Sequence, residues 1–245
     1  MTVEHVDVAD TEDRPGGHEP PEGVRATGLG MRAGEGWVYR HVDLTADPGE
    51  VVEVRGAGGT GRSMLLLTLA GRARATTGQL RVLGHDLPRG ARAVRRLSAV
   101  ARLDDVAVPE GQQTVRQAFR ERARWERVRP AGSDGLGYRV DETRELTGLT
   151  AGPHERVAGL GALQRTLLAV ALAALSRPRL LVLDDLDDGL PATERDLVWA
   201  ALHRVADADG CLVLATTSGG DPGGGPGGGP GGRRSVELHP ARVAP

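Results

Sequence analysis

Two stretches of the chain place chemically capable residues at telling intervals. The first is Gly56-Ala57-Gly58-Gly59-Thr60-Gly61-Arg62-Ser63, between the alternating run Glu50 to Arg55 and the apolar run Met64 to Ala70. Two glycines with four residues between them, then a cation and a hydroxyl, suit a phosphate group. Glycines let successive backbone N–H groups curl around oxygen atoms with no Cβ in the way, and a helix N-terminus adds its positive end. Arg62 supplies the charge where a lysine ordinarily stands, and Ser63 is the expected Mg²⁺ ligand. The bland alternative is a strand-to-helix turn in a chain that holds 36 glycines. The second stretch, Leu180-Leu181-Val182-Leu183-Asp184-Asp185, is an apolar strand that delivers two carboxylates to its carboxyl end. Asp184 would hold Mg²⁺ through water, and Asp185 would polarise an attacking water. Its alternative is a cap, in which Asp184, Asp185, Asp187 and Asp188 serve the helix that follows.

The elements that must position these residues alternate. Glu50 to Arg55, Gln79 to Leu83, Leu97 to Ala101, Leu180 to Leu183 and Cys211 to Ala215 read as strands; Met64 to Ala70, Gly161 to Leu175 and Ala192 to Ala206 read as helices. Such an order implies an α/β fold with a mainly parallel sheet. Short strands around Trp37 to Leu44 suggest a small antiparallel subdomain. Residues of about 103–158 are charged and rich in helical runs such as Val115 to Val128, which predicts a helical insertion. Outside the domain expected over 24–218, residues 1–23 are acidic with no apolar period and read as a tail. Residues 219–234 are a Gly/Pro linker, and 235–245 carry a short edge-strand signal.

Composition narrows the function classes. The formal charge of −2 balances 31 basic against 33 acidic residues, which gives no basic field for nucleic acid, and no nucleic-acid partner is expected. Aromatics make up only 2%, so the core must come from Leu, Val and Ala. Cys211 stands alone in an apolar setting and reads as a buried strand residue of a reducing compartment. The chain contains no Ile, Asn or Lys, as in proteins of high-GC bacterial genomes. The longest apolar run is too short to span a bilayer. The seven histidines, at 5, 18, 41, 85, 154, 203 and 239, show no metal-binding spacing.

With these residues in view, the chain resembles the ABC-type ATP-binding cassettes over about Val24 to Ser218. The likeness includes Pro48-Gly49-Glu50, the glycine loop, Thr76 to Leu87, Thr114-Val115-Arg116, Gln164-Arg165 and the strand ending at Asp184. It implies ATP and Mg²⁺ as cofactors, with Gly56, Ala57, Gly58, Gly59, Thr60, Gly61, Arg62, Ser63 and Met64 around the nucleotide and Ser63 and Asp184 on the metal. Asp185 and Arg62 are then the catalytic candidates. The partners implied are a second cassette, as homo- or heterodimer, and an integral membrane permease-like protein docked near Arg102 and the insertion. The place implied is cytoplasmic, peripheral at the inner face of the membrane and reached through that partner.

Several positions depart from the family pattern. Arg62 replaces Lys, whose compact ammonium differs from a planar guanidinium. Asp185 replaces Glu and is one methylene shorter. The signature segment reads Ala158-Gly159-Leu160-Gly161-Ala162, so only Gly159 and Gly161 remain as backbone contributors to a nucleotide held by the partner cassette. Arg102 replaces the switch Gln, Thr217 stands where the switch His is expected, and Pro191 follows Gly189-Leu190. Losing one preorganised phosphate donor costs about 2.7–4 kcal/mol, so several such losses imply slow hydrolysis. The function expected is the ATP-binding subunit of a transport system. The alternative is a regulatory or assembly module that binds nucleotide without useful turnover.

Overall fold

The computed structural model describes residues 22–103, 109–128, 135–218 and 234–239. Residues 1–21 of the tail expected over 1–23, residues 219–233 of the linker expected over 219–234, and the stretches 104–108 and 129–134 of the expected insertion lie outside the described residues. So do residues 240–245.

Two sheets form among the described residues. The strands β1 (Val24–Ala33), β2 (Gly36–Ala46), β4 (Thr77–Val82) and β5 (His85–Asp86) make an antiparallel sheet in the order β2-β1-β4-β5. The strands β3 (Val51–Arg55), β6 (Ser98–Arg102), β7 (Leu180–Leu183), β8 (Leu212–Thr217) and β9 (Arg234–Glu237) make a parallel sheet in the order β6-β7-β8-β3-β9. Together with six helices they give the α/β fold with a parallel core and a small antiparallel sheet. Strand β9, just past the Gly/Pro run, lies on the edge beside β3.

Strand periodicity builds two cores from one sheet. Val52, Val54, Leu180, Val182, Leu212 and Leu214 face the antiparallel sheet and α1 (Arg62–Leu69). Their alternate neighbours Val51, Leu181, Leu183, Val213 and Ala215 face α5 (Ala162–Ala174) and α6 (Ala192–Asp209). Burial on both faces explains why β7 and Leu212 to Ala215 of β8 read as continuous apolar runs. Helix α5 is the centre of the second core, because nine of its residues, Thr166 to Ala174, are buried. Each fully buried Leu or Val contributes about 1.5–3 kcal/mol.

Helices α2 (Ala91–Leu97), α3 (Val115–Trp125) and α4 (Gly135–Thr147) complete the set. Helix α3 starts at Thr114, whose side chain accepts from the Gln117 N–H while the Gln117 side chain bonds the Thr114 N–H, a reciprocal cap. Its apolar residues Val115, Ala118, Phe119 and Ala123 join the α5 core, so the helical insertion packs as part of the domain. Arg122 is largely buried and donates to the Val100 carbonyl at 2.9 Å on the sheet edge, and Cys211 lies buried one residue before β8 rather than in it.

Candidate functional site

The glycine loop runs from β3 into α1. It is tied to the sheet at its start, where the Gly56 N–H donates to the Thr217 carbonyl at 3.3 Å. Ala57, Gly58 and Gly59 form the exposed tip, with open space where a Cβ would sit at Gly58 and Gly59. Gly61 caps α1 with φ +83°, and a Cβ there would stand 2.3 Å from the Val38 carbonyl oxygen of β2. Both the left-handed backbone and the contact demand glycine. Thr60 is buried beneath the loop and donates to the Ala57 carbonyl at 2.8 Å. Ser63 and Met64 are half-buried on the first turn of α1, and Met64 packs against the apolar core.

Strand β7 brings Asp184 and Asp185 to this loop. Asp184 is buried; its Oδ1 accepts from the Thr216 hydroxyl, and its Oδ2 is buried with no hydrogen-bond partner among the described residues. Asp185 has φ +42°, a left-handed conformation uncommon for a residue with a side chain. Its N–H donates to Thr216 Oγ1 at 2.8 Å and its Oδ1 accepts from Arg62 Nη2 at 2.8 Å. The second terminal nitrogen of Arg62, Nη1, is buried without a partner among the described residues. Burial raises the Asp185 pKa, the Asp184 and Asp187 charges raise it further, and Arg62 and Arg102 oppose them.

The remaining expected positions fall into place unevenly. Arg102 turns inward, and its guanidinium donates to the carbonyls of Asp184 and Asp185. Thr217 donates to the carboxylate of Glu53 at 2.8 Å, a buried acid in β3 that also accepts from Arg55. Gly159 ends a short 3₁₀ turn and Gly161 caps α5, each with open space at its Cβ position. Neither shares a hydrogen bond with the glycine loop among the described residues. The cap alternative for the aspartates fails, because Pro191 is the N-cap residue of α6 and has no side-chain cap bond. Asp187 instead accepts from the Ser218 N–H at 3.0 Å. Trp37 lies half-exposed on β2 with the Arg32 guanidinium 6.0 Å from its ring centre, so it is no core tryptophan. Thr216 and Glu53 carried no mark in the sequence reading. Each is one residue of an otherwise ordinary strand.

The family pattern described as ABC transporter matches residues 39–187. The chain belongs to the ABC transporter family. Among its relatives, the cytochrome c biogenesis ATP-binding export protein CcmA of Bordetella parapertussis is 33% identical over 201 residues, 82% of this chain and 85% of that protein. The zinc import ATP-binding protein ZnuC of Alkalilimnicola ehrlichii is 34% identical over 201 residues, 79% of this chain and 67% of that protein. In fold, the chain superposes on the bacterial ABC transporter cassette MJ0796 solved as a dimer, with TM-score 0.66 and 16% identity over 80% of this chain and 88% of the other. A post-hydrolysis structure of that same cassette holds ADP and Pi.

The residues present fit the groups that this ABC domain implies. Asp184 Oδ2 and Arg62 Nη1 are a buried acceptor and a buried donor left without partners, and such groups are costly unless a ligand satisfies them. A divalent cation suits the first and a phosphate oxygen the second. Among the described residues no helix is long and apolar enough to cross a membrane.

Proposed function

We propose that the chain is the ATP-binding subunit of a transport system, binding Mg-ATP and hydrolysing it slowly. The observation that carries this reading is the pair of unpartnered buried atoms, Arg62 Nη1 and Asp184 Oδ2, beside an open glycine loop. Gly56 to Ser63 bind the phosphates, and Ser63 and Asp184 would hold Mg²⁺, which supplies neutralisation of the developing phosphate charge. Asp185 orients the attacking water and accepts its proton once Arg62 has turned to phosphate. The export and import roles of the ATP-binding relatives support a membrane partner, and the dimeric cassette of similar fold supports a dimer as the working unit. With such a partner the chain works at the cytoplasmic face of a membrane.

The partner's seat is the groove of about 600 Å³ between α3 and α4. Val115, Phe119, Leu136, Val140 and Pro153 line it, and Arg116, Arg120 and Arg144 outnumber Asp141 at its rim, which suits a short apolar segment with acidic flanks. This groove, rather than the inward-turned side chain of Arg102, presents the open surface.

The test counts ADP formed per bound ATP in purified protein with Mg²⁺, with Asp185→Ala beside it. Slow ADP production that disappears in the variant is expected. A second arm adds membranes of the native cell. Gly137→Arg, which fills the groove where no atom lies within 4 Å of a new Cβ, removes any stimulation but not ATP binding. Bound ATP that stays intact in both proteins favours the second reading, a nucleotide-gated module. That alternative draws its support from the Arg62–Asp185 ion pair, which ties up the base, and from the altered signature segment.

A further inference from the structure

Arg102 has no part in the chemistry just described, yet its side chain reaches the turn that carries Asp185. The pairing of β6 with β7 runs Ala99 to Leu181 and Val100 to Val182, then jumps to Arg102 opposite Leu183. One extra residue, Ala101, is therefore accommodated on β6, and such a bulge re-aims the next side chain. The main-chain carbonyl of Arg102 accepts the Asp184 N–H at 2.9 Å, and the side chain folds back along the same turn. Its Nη2 donates to the carbonyl oxygens of Asp184, at 3.3 Å, and of Asp185. Nε reaches the Asp184 carbonyl at 3.4 Å, and Nη1 reaches the hydroxyl of buried Thr166 in α5, also at 3.4 Å.

One guanidinium thus joins the end of β6, the turn after β7 and the helix that follows the signature segment. The turn needs holding, because a non-glycine residue in the left-handed region costs of order 1–3 kcal/mol and persists only when its surroundings fix it. Thr216 fixes the amide side, through the Asp185 N–H. The carbonyl side is fixed by Arg102. A planar fork with five N–H donors can serve two carbonyls and a hydroxyl together, whereas a side-chain amide with two donors cannot.

We infer that Arg102 is a positioning residue for Asp185: its guanidinium holds the left-handed turn from the carbonyl side and so keeps the Asp185 carboxylate facing Arg62 and the glycine loop. The geometry stands by itself; its consequence for turnover rests on the Mg-ATP reading above. The residue that replaces the family's Gln has thereby become part of the support for the shortened acid.

The experiment uses the full chain in four forms: native, Arg102→Met, Asp185→Asn and the double variant, unfolded in urea without nucleotide. The factor by which Asp185→Asn changes the unfolding constant is expected to differ at least about threefold between the native and Arg102→Met backgrounds. Agreement within that factor overturns the inference, because the two side chains would then act independently although the Arg102 charge faces the Asp185 carboxyl. Should Arg102→Met not fold, Arg102→Gln takes its place in the cycle. With Mg²⁺ and mant-ATP, Arg102→Met keeps Kd within about threefold while the single-turnover rate falls roughly 10- to 100-fold, and Arg102→Lys lies between. A parallel loss of binding and rate marks general damage and also overturns the positioning role. A native chain that fails to bind mant-ATP sinks the nucleotide reading instead, and the urea cycle still decides the role of Arg102.

Discussion

Arginine at 62 lengthens one partner of an ion pair and aspartate at 185 shortens the other, and the two meet at 2.8 Å. The family pattern has Lys and Glu at these two positions, so the changes in side-chain length run in opposite directions. Length added at 62 and removed at 185 bear on one 2.8 Å contact, so the two positions are expected to depend on each other. This has a kinetic consequence. A misplacement of about 1 Å near the reacting atoms costs on the order of a hundredfold in rate, so neither Arg62→Lys nor Asp185→Glu alone should restore fast hydrolysis. The double variant should exceed the product of the two single effects by about tenfold in single-turnover rate. Single effects that simply multiply would show that the two positions diverged independently. The pairing could not be read from the chain, because 123 residues separate the partners and neither carries a local sign of the other.

Elements were more legible than contacts. The unbroken run Leu180 to Leu183 is β7, and the apolar run Leu167 to Ala174 is the part of α5 beyond Gln164-Arg165-Thr166, because burial on every side leaves no polar interruption within either run. The loop glycines were legible too, since Gly61 answers a steric demand that no other residue meets. What stayed hidden depends on distant partners: the bulge at Ala101, the left-handed Asp185, the bridge made by Thr216, and the carboxylate of Glu53 beneath Thr217. The tie between α4 and its neighbours is of the same kind. Arg139 donates to the Ala174 and Leu175 carbonyls at the end of α5, at 2.7 and 3.0 Å, and pairs with Glu142. Arg177 approaches Glu142 at 2.8 Å and Asp209 of α6 at 3.4 Å. Burial pushes the Glu142 pKa up, but the hydrogen bonds and charges of Arg139 and Arg177 together outweigh it and hold the carboxyl below its ordinary value. The folded chain then binds this proton less tightly than the unfolded chain. Its contribution is complete above the unfolded pKa and is lost as pH falls through the lowered folded one. Glu142→Gln should cost at most about 1 kcal/mol near neutral pH, given the partly exposed pair, and nothing in acid. Urea unfolding of both proteins across that range checks it, and a difference that stays constant with pH would remove the ion pairs from the account.

At the scale of the whole molecule, the parallel sheet couples two cores through alternate residues of the same strands. Strand β8 lies between β7 and β3, sends Leu212 and Leu214 to one core and Val213 and Ala215 to the other, and near its end puts Thr216 beneath Asp184. It cannot leave the sheet without opening both cores and releasing the site. Cys211, at the start of that strand, reports on such an opening. Its thiol is fully buried and its pKa is pushed up to about 12, by burial first and the Asp209 charge second, against a backbone hydrogen bond involving Leu181. A thiol of that kind reacts only when exposed, because the thiolate is the nucleophile. Labelling of Cys211 by a disulfide reagent in native buffer should therefore be slow. A ligand that binds only the folded chain lowers the open population by the factor 1 + [L]/Kd, so Mg-ATP at about 100 Kd should slow labelling roughly a hundredfold. The slowing requires that the opening which frees the start of β8 also dismantles the glycine loop at the far end of the sheet. Labelling at an unchanged rate, with ATP shown to be bound, would mean that the segment between α6 and β8 opens locally and that the two ends of the strand are not one cooperative unit.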